Sequence, residues 1–494
     1  MDQSDSPIPV HHRTRCVSSK IEREIKLSIS NGFRLPALPG IVLPRRLVTS
    51  TYYDTSHYDL AYAGITLRYR IERGKQAWQL KLPLIKDRQE IEILDRQPNP
   101  PTTLLDLLFL HLGQQTLVPV ATLRVWRTGT RVRMDNASVA DVTVDHVSVV
   151  KDGAVVQRFR ELEIEQVNGT DRILSDLEGE LRRAGAEDHD GRPKLFRALN
   201  LPAPDREPPP APDAPVAEHV KSALARHVRW LLAHDPGARF GREPESLHQM
   251  RVATRQLRAV LRAARPLLVP DWTDSLQNEL RWLGQLLGPV RDLDVQLSYF
   301  REESAAMDAR DRRPLAQFIA HLELERNKVQ GVLLNELKTA RYLDLIRRLQ
   351  QIPQDMVVIE TTITLSDLAK SSFKKLRKSI LRLAASPSDV ALHKIRIKTK
   401  RARYAAELAE TTVGKAATRF IKRACTLQDI LGMHQDAIQA EAHVRAFLKQ
   451  SSNVRAAFVA GRMVERQRER RKETRNNMRT IWTRLLKRGE KAWG

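Results

Sequence analysis

A chain of 494 residues is longer than one hydrophobic core organises, so two or three domains are expected. Its 83 Lys and Arg against 59 Asp and Glu give a formal charge of +24, spread unevenly: 29 bases meet 26 acids in residues 1–200, and 54 meet 33 in the rest. Two distant cysteines, Cys16 and Cys425, exclude a paired-cysteine metal knuckle, and no apolar run approaches the ~20 residues of a membrane span.

A reducing, cytoplasmic setting fits the cysteine usage and an N-terminus without the basic-then-apolar order of a signal peptide. The balanced first part and basic second part suggest different tasks, the second one attracting a polyanion.

In chain order, the run 21–29 contains Glu22, Glu24 and Lys26 at alternate positions. Side chains two apart on a strand share a face. These three therefore project together, offering hard oxygens to a divalent cation and a point charge to the phosphate it escorts. Further strands are expected over 47–54, 64–72, 77–82, 89–94, 120–132, 138–150 and 155–166. The same spacing recurs in Arg68 and Arg70, in Arg88, Glu90 and Glu92, and in Glu161, Glu163 and Glu165. Charged faces of both signs on several strands would form a polar tunnel if they converged inside a barrel. Trp78, Trp126 and Tyr69 read as core residues rather than base platforms. Residues 171–184 read as a helix with Leu174, Leu177 and Leu181 on one stripe. The segment 201–215, LPAPDREPPPAPDAP, reads as a semi-rigid linker.

This ordered set resembles the CYTH family. Besides Glu22, Glu24 and Lys26 it includes Tyr52-Tyr53-Asp54-Thr55, Leu60, Gly64, Leu67-Arg68-Tyr69-Arg70, Leu80-Lys81, Arg88-x-Glu90-x-Glu92, Arg124, Arg127, Asp145, Glu161-x-Glu163-x-Glu165 and Lys194. The resemblance covers nearly all of 18–200. It implies an eight-stranded antiparallel barrel that binds a triphosphate in its interior. It further implies that Glu22, Glu24, Glu161 and Glu163 face divalent metal, Mg²⁺ or Mn²⁺. Lys26, Arg68, Arg70, Lys81, Arg124, Arg127 and Lys194 would hold phosphate oxygens, and Glu22, Glu24 and Lys26 form the catalytic core. Pro193 stands before Lys194 where the family often has Ser, and Val120-Ala121-Thr122 carries no base where some members do.

From about residue 216 the apolar period becomes helical. Leu247-His248-x-x-Arg251-x-x-x-Arg255-x-x-Arg258 recurs as Leu392-His393-x-x-Arg396-x-x-x-Lys400-x-x-Arg403, at an offset of 145. Leu286-Leu287-Gly288 followed by Asp292 recurs as Ile430-Leu431-Gly432 followed by Asp436, at offset 144. Two related bundles of four helices each are expected. Steps of 3, 4 and 3 put the four basic positions of each copy on one face, where like charges repel unless a polyanion joins them. Arg262 and Arg265 would extend the stripe, and the Asp residues would orient it. This part resembles a CHAD domain over roughly 216–450. The likeness implies pseudo-twofold symmetry and a basic groove for inorganic polyphosphate, held by His248, Arg251, Arg255, Arg258, His393, Arg396, Lys400 and Arg403. The tail beyond Val464 reads as a basic helix docked by Trp482, Leu485 and Leu486.

The expectation is thus an α+β chain of two domains: a tunnel domain over 18–200, a linker over 201–215 and a helical domain over 216–494. The resemblance implies hydrolysis of tripolyphosphate to pyrophosphate and phosphate, beside a polyphosphate-binding module that associates with polyphosphate granules. Rival readings are an adenylate cyclase, a nucleotide or thiamine triphosphatase, or a non-catalytic granule binder. Without a base-reading motif, nucleic acid is not an expected partner.

Overall fold

The alternating strands of the first part join in one antiparallel sheet. They are β1 (Val17–Glu22), β2 (Glu24–Ser28), β3 (Gly40–Asp54), β4 (Thr66–Glu72), β5 (Lys75–Pro83), β6 (Arg88–Leu94), β7 (Val118–Met134), β8 (Ala137–Lys151), β9 (Ala154–Gln166) and β10 (Glu187–Asp188). The computed structural model describes residues 17–84, 87–168, 170–202, 210–449 and 454–494; Cys16 and linker residues 203–209 lie outside these. The chain divides into two units, Met1–Arg206 with Leu232–Glu243, and Glu207–Leu231 with Pro244–Gly494.

The sheet order is β1-β6-β5-β4-β3-β7-β8-β9-β2-β10. Three two-residue turns connect its hairpins. Arg73-Gly74, Asp135-Asn136 and Asp152-Gly153 have both central residues at positive φ, between 48° and 79°. That backbone twist matches right-twisted flanking strands. The sheet has ten strands rather than the expected eight, and its hydrogen-bonded ladder runs open from β1 to β10. The count rises because the N-terminal strand is interrupted at Arg23 and because the two-residue β10 adds an edge. β1 pairs with β6 and β2 with β9, so strands near opposite ends of the order are joined by a single residue. Consecutive Cα atoms are ~3.8 Å apart, so this connection forces the sheet to curl back on itself.

The polarity of the sheet is inverted. Its apolar residues point outward and are covered by helices. Leu67, Trp78, Leu80, Ile91 and Ile93 pack under Leu104, Leu107 and Leu108 of the helix Thr102–Leu112. Leu27, Val142, Leu162 and Ile164 pack under Leu174, Leu177 and Leu181 of the helix Asp171–Arg183. The concave face keeps the charges, except at one end. There Val48, Tyr52, Leu123 and Val125 pack on Leu195 and Phe196 of the short helix Lys194–Ala198.

In the second unit the internal repeat extends to whole helices. Pro244–Ala264, Pro270–Ala305 and Ala309–Glu336 have counterparts in Asp389–Leu408, Lys415–Leu448 and Val454–Trp493, each beginning 145 residues later. The two halves are not packed as separate bundles. One apolar cluster joins Leu297, Phe300, Phe318 and Leu322 of the first half to Ala440, Val444, Val459 and Met463 of the second. In the last helix Leu485 is buried, but the main anchor is Trp493, whose ring lies 4.8 Å from Phe420; Trp482 is only half-buried. No helix among the described residues is long and apolar enough to cross a membrane.

Candidate functional site

The concave face of the sheet encloses a cavity of about 520 Å³. Glu22, Glu24, Lys26, Arg68, Arg70, Lys81, Arg127, Glu163 and Lys194 all line it. Alternation carries Glu22 and Glu24 to the same side even though Arg23 interrupts the strand. Arg23 points away and binds Asp87 through two hydrogen bonds of 2.7 and 2.8 Å.

Two expected ligands lie elsewhere. Arg124 is exposed on the outer face, because it stands three residues from the inward Arg127 and strand side chains alternate with period two. Glu161 is fully buried behind the cavity wall. It lies 3.5 Å from Lys26 and from Arg197, 3.6 Å from Lys194 and 3.8 Å from His189, and neither of its oxygens accepts a hydrogen bond.

The wall also holds Lys20, Arg46, Arg131, Asp141 and the hydroxyl-bearing Tyr52, to which the sequence reading gave no role. Parity contained the signal for most of them. Lys20 is two residues before Glu22, Arg131 is four after Arg127, and Arg46 is in step with Tyr52. Among the described residues of the wall, ten Lys and Arg face seven Asp and Glu, a surplus of three positive charges.

Each acid has its base. Lys81 Nζ donates to Glu22 Oε2 at 2.5 Å and lies 3.3 Å from Glu90. Lys26 lies 3.2 Å from Glu24 and 3.3 Å from Glu163. Arg127 donates twice to Asp145 and once to Glu163, each at 2.6 Å. Arg68 donates to Gln79 Oε1 at 2.8 Å and to the Tyr52 hydroxyl at 3.2 Å. Burial works against the charges on Glu22 and Glu163, yet Lys81 holds Glu22 below the usual carboxylate range and Lys194 and Lys26 hold Glu163 well below it. Burial likewise opposes the charge on Lys194, but Asp145, Glu163 and Glu161 raise its pKa well above the ordinary value. Arg70 moves the other way: burial and the neighbouring Arg68 lower it.

Among the described residues no three acids converge on a ready-made metal position. The ammonium and guanidinium groups stand between them. The donor set is all oxygen, which suits a hard divalent cation, and the oxygens of buried Glu161, ion-paired but accepting no hydrogen bond, retain acceptor capacity.

In the second unit the helices Pro244–Ala264 and Asp389–Leu408 contribute to a cleft of about 440 Å³. Arg255, Arg258 and Lys400 of the expected set line it. So do Arg262, Lys375, Lys398 and Arg401, with the hydroxyls of Ser371, Ser372 and Tyr404; among the described residues no acid lines it. The remaining expected residues stand beside it or away from it. Arg251 bonds Asp292 at 3.3 Å, whereas Asp294 takes Arg326, a base outside the repeated stripe, at 2.9 Å. Arg403 pairs with Glu407 at 3.1 Å and lies over Tyr404. His393 is exposed and meets Gln435 at 3.1 Å. His248 is held down to about 4 by burial and by Arg291. Arg265 pairs with Asp274 instead of extending the stripe. Burial and the neighbouring Arg396, Arg255, Arg251 and Arg403 push Lys400 down to about 7. Arg396 passes close to Gly432: its Nη2 would lie 3.6 Å from an added Cβ, an ordinary van der Waals distance. Lys375 comes from a third helix, Leu365–Leu381, outside the repeated motif, so the repeat carries no signal for it.

Residues 20–191 match the family model described as CYTH domain, and residues 222–445 match the one described as CHAD domain. Two uncharacterized proteins from different strains of Mycobacterium tuberculosis are each 26% identical over 484 residues, covering 89% of this chain and 90% of theirs. Among solved structures, PptA from Streptomyces chartreusis aligns with TM-score 0.46 and 18% identity, over 55% of this chain and all 100% of its own. The CHAD domain of the plant Ricinus communis aligns with TM-score 0.45 and 24% identity, over 55% of this chain and 92% of its own. HpAC1 from Hippeastrum, described as having a dominant triphosphatase activity, aligns with TM-score 0.24 and 18% identity, over 36% of this chain and 95% of its own.

Proposed function

Because the chain carries a CYTH domain followed by a CHAD domain, we propose that it is a divalent-metal-dependent inorganic triphosphatase with an attached polyphosphate-binding module. The observation that carries this reading is the interior wall of ten bases against seven acids, a charge pattern that suits a multiply charged anion accompanied by a cation. In this reading the curled sheet works as a closed tunnel, with β1 and β2 acting as one strand. The substrate is tripolyphosphate, cleaved to pyrophosphate and phosphate. Among the described residues that line the wall Tyr52 is the only aromatic one, which favours a substrate without a nucleobase or thiamine ring.

Lys26, Arg68, Arg70, Lys81, Arg127 and Lys194 grip the phosphate oxygens, the arginines by paired N–H donors. Glu22, Glu24 and Glu163, backed by Glu161, would hold Mg²⁺ or Mn²⁺. When bound, such a cation supplies charge neutralisation and a more acidic water. The resting ion pairs explain how the wall stays charged yet stable without substrate. Each ammonium released by a carboxylate becomes available to a phosphate oxygen. Tyr52, already bonded to Arg68, donates its hydroxyl proton toward the same anion. Phosphoryl transfer depends on such positioning and charge stabilisation more than on covalent help. In the second unit, Arg255, Arg258, Lys400 and their neighbours hold a longer polyphosphate chain.

The test is phosphate release from tripolyphosphate, ATP and long-chain polyphosphate, with and without Mg²⁺ or Mn²⁺. Fast metal-dependent release from tripolyphosphate alone is expected. Preference for ATP, or no release from any of them, would overturn the assignment.

A further inference from the structure

The outer face of the sheet is covered by helices over β4–β6 and over parts of β2, β8 and β9, but other parts of β7–β9 are bare. There the strands present two rows of side chains. One row is Trp126, His146 and Arg160; the next is Arg124, Ser148 and Arg158. A cleft of about 650 Å³ opens over them, with Arg45, Trp126, His146, Ser148, Arg158 and Arg160 in its wall and no acid among its lining residues. Contrary to the core position expected for it, Trp126 is 41% exposed, because it stands on the uncovered outer face, and the guanidinium of Arg45 sits 4.2 Å from its ring centre. Arg160 is anchored by donating to the carbonyls of Ser30 and Asn31, each at 2.7 Å, while its buried Nε has no hydrogen-bond partner. Burial first, and then Arg160 and Arg45, lower the pKa of His146 against the opposing pull of Asp145.

An exposed indole is costly in water, and clustered arginines repel. Both features are accounted for by a ligand that is flat at one end and anionic at the other. We propose that this outer cleft binds a mononucleotide, its base against the Trp126 and Arg45 surface and its phosphate on Arg158, beside Arg124 and Ser148. Aromatic faces stack on any base, and arginine adds cation–π attraction and paired hydrogen bonds to phosphate. Trp126 and Arg124, two apart on one strand, are separated by roughly 7 Å, a span that matches the reach from a base through its ribose to the phosphate. A bare phosphate chain would leave Trp126 unused. The cleft lies on the face of the sheet opposite the tunnel, so the proposal stands apart from the triphosphatase reading.

Calorimetric titration of the full chain with AMP, and separately with pyrophosphate, tests it. Pyrophosphate, which the tunnel would hold as a product, is the control: its binding is expected to be unchanged in variants of the outer cleft. Trp126→Ala and Arg158→Glu should each weaken AMP by roughly tenfold or more, with tripolyphosphate hydrolysis unchanged. Photo-crosslinking with azido-AMP should label Trp126 or its outer-face neighbours. Unaltered AMP binding in both variants, an equal loss of pyrophosphate binding in them, or label on tunnel residues alone would each overturn the proposal.

Discussion

Lys194 Nζ lies 2.6 Å from Glu163 Oε1 and 2.7 Å from Asp145 Oδ2, so one ammonium at a helix start ties together two neighbouring strands inside the sheet. Its removal leaves buried Asp145 and Glu163 with Arg127 but without the ammonium they share. Lys194→Ala is expected to cost about 3–5 kcal/mol of stability, read by denaturant unfolding, and to abolish turnover. The pH dependence has a definite sign. Glu163 is held well below its ordinary value of 4.5, so its contribution is present above that value and is lost as pH falls toward the depressed one. Acid should therefore destabilise the wild type below about pH 4.5 more steeply than Lys194→Ala.

Arg124 and Arg127 give a paired prediction. Arg127 contacts Asp145 and Glu163 inside, whereas Arg124 is exposed outside. Arg127→Ala should lower tripolyphosphate turnover by roughly a hundredfold, the scale of a lost charge-stabilising donor. Arg124→Ala should change it by less than about twofold, as for an ordinary surface position. Equal effects would mean that the inward set has been misassigned.

Glu24→Gln keeps the shape of the side chain and removes its charge. Glu24 lies 3.2 Å from Lys26 at the cavity wall. Metal-dependent phosphate release should vanish at all Mg²⁺ and Mn²⁺ concentrations, while the second unit's affinity for long-chain polyphosphate is retained. Full turnover in this variant would contradict the tunnel assignment.

Lys400 makes the basic cleft sensitive to pH near neutrality. Crowded by burial and by Arg396, Arg255, Arg251 and Arg403, it loses its proton at about 7 in the free protein. Polyphosphate affinity should therefore fall as pH rises from about 6 to 8, by roughly tenfold if Lys400 contributes one charged contact, and Lys400→Arg should flatten that slope. Stability has the opposite trend. The unfolded chain holds this proton up to about 10.5, so folding becomes more favourable as pH rises through that window.

Reversing Arg251 and Arg396 to Glu together should weaken long-chain polyphosphate binding by roughly tenfold or more, measured at fixed salt. Unchanged binding would make these residues a solvated face and no more.

The sequence by itself determined the large divisions of this protein. Charges at alternate positions required strands with one polar face. The 145-residue offset required a repeated helical unit, and it extends to the starts of three helix pairs. These are local properties, set by the periods of strand and helix, and they are readable without a partner. Only the tertiary structure decided what depends on which strands meet. Parity shows that Glu22 and Lys26 share a face, but not that the face turns inward. That follows from the helices Thr102–Leu112 and Asp171–Arg183 covering the apolar side. The interruption at Arg23, the withdrawal of Glu161 behind the wall and the arrival of Lys375 from a third helix were likewise beyond the motifs, because each is a relation between distant segments. Arg124 lies between the two cases. Its outward direction was fixed by alternation from Arg127, but the outer cleft beside it exists only because β7, β8 and β9 align Trp126, His146 and Arg158 on neighbouring strands.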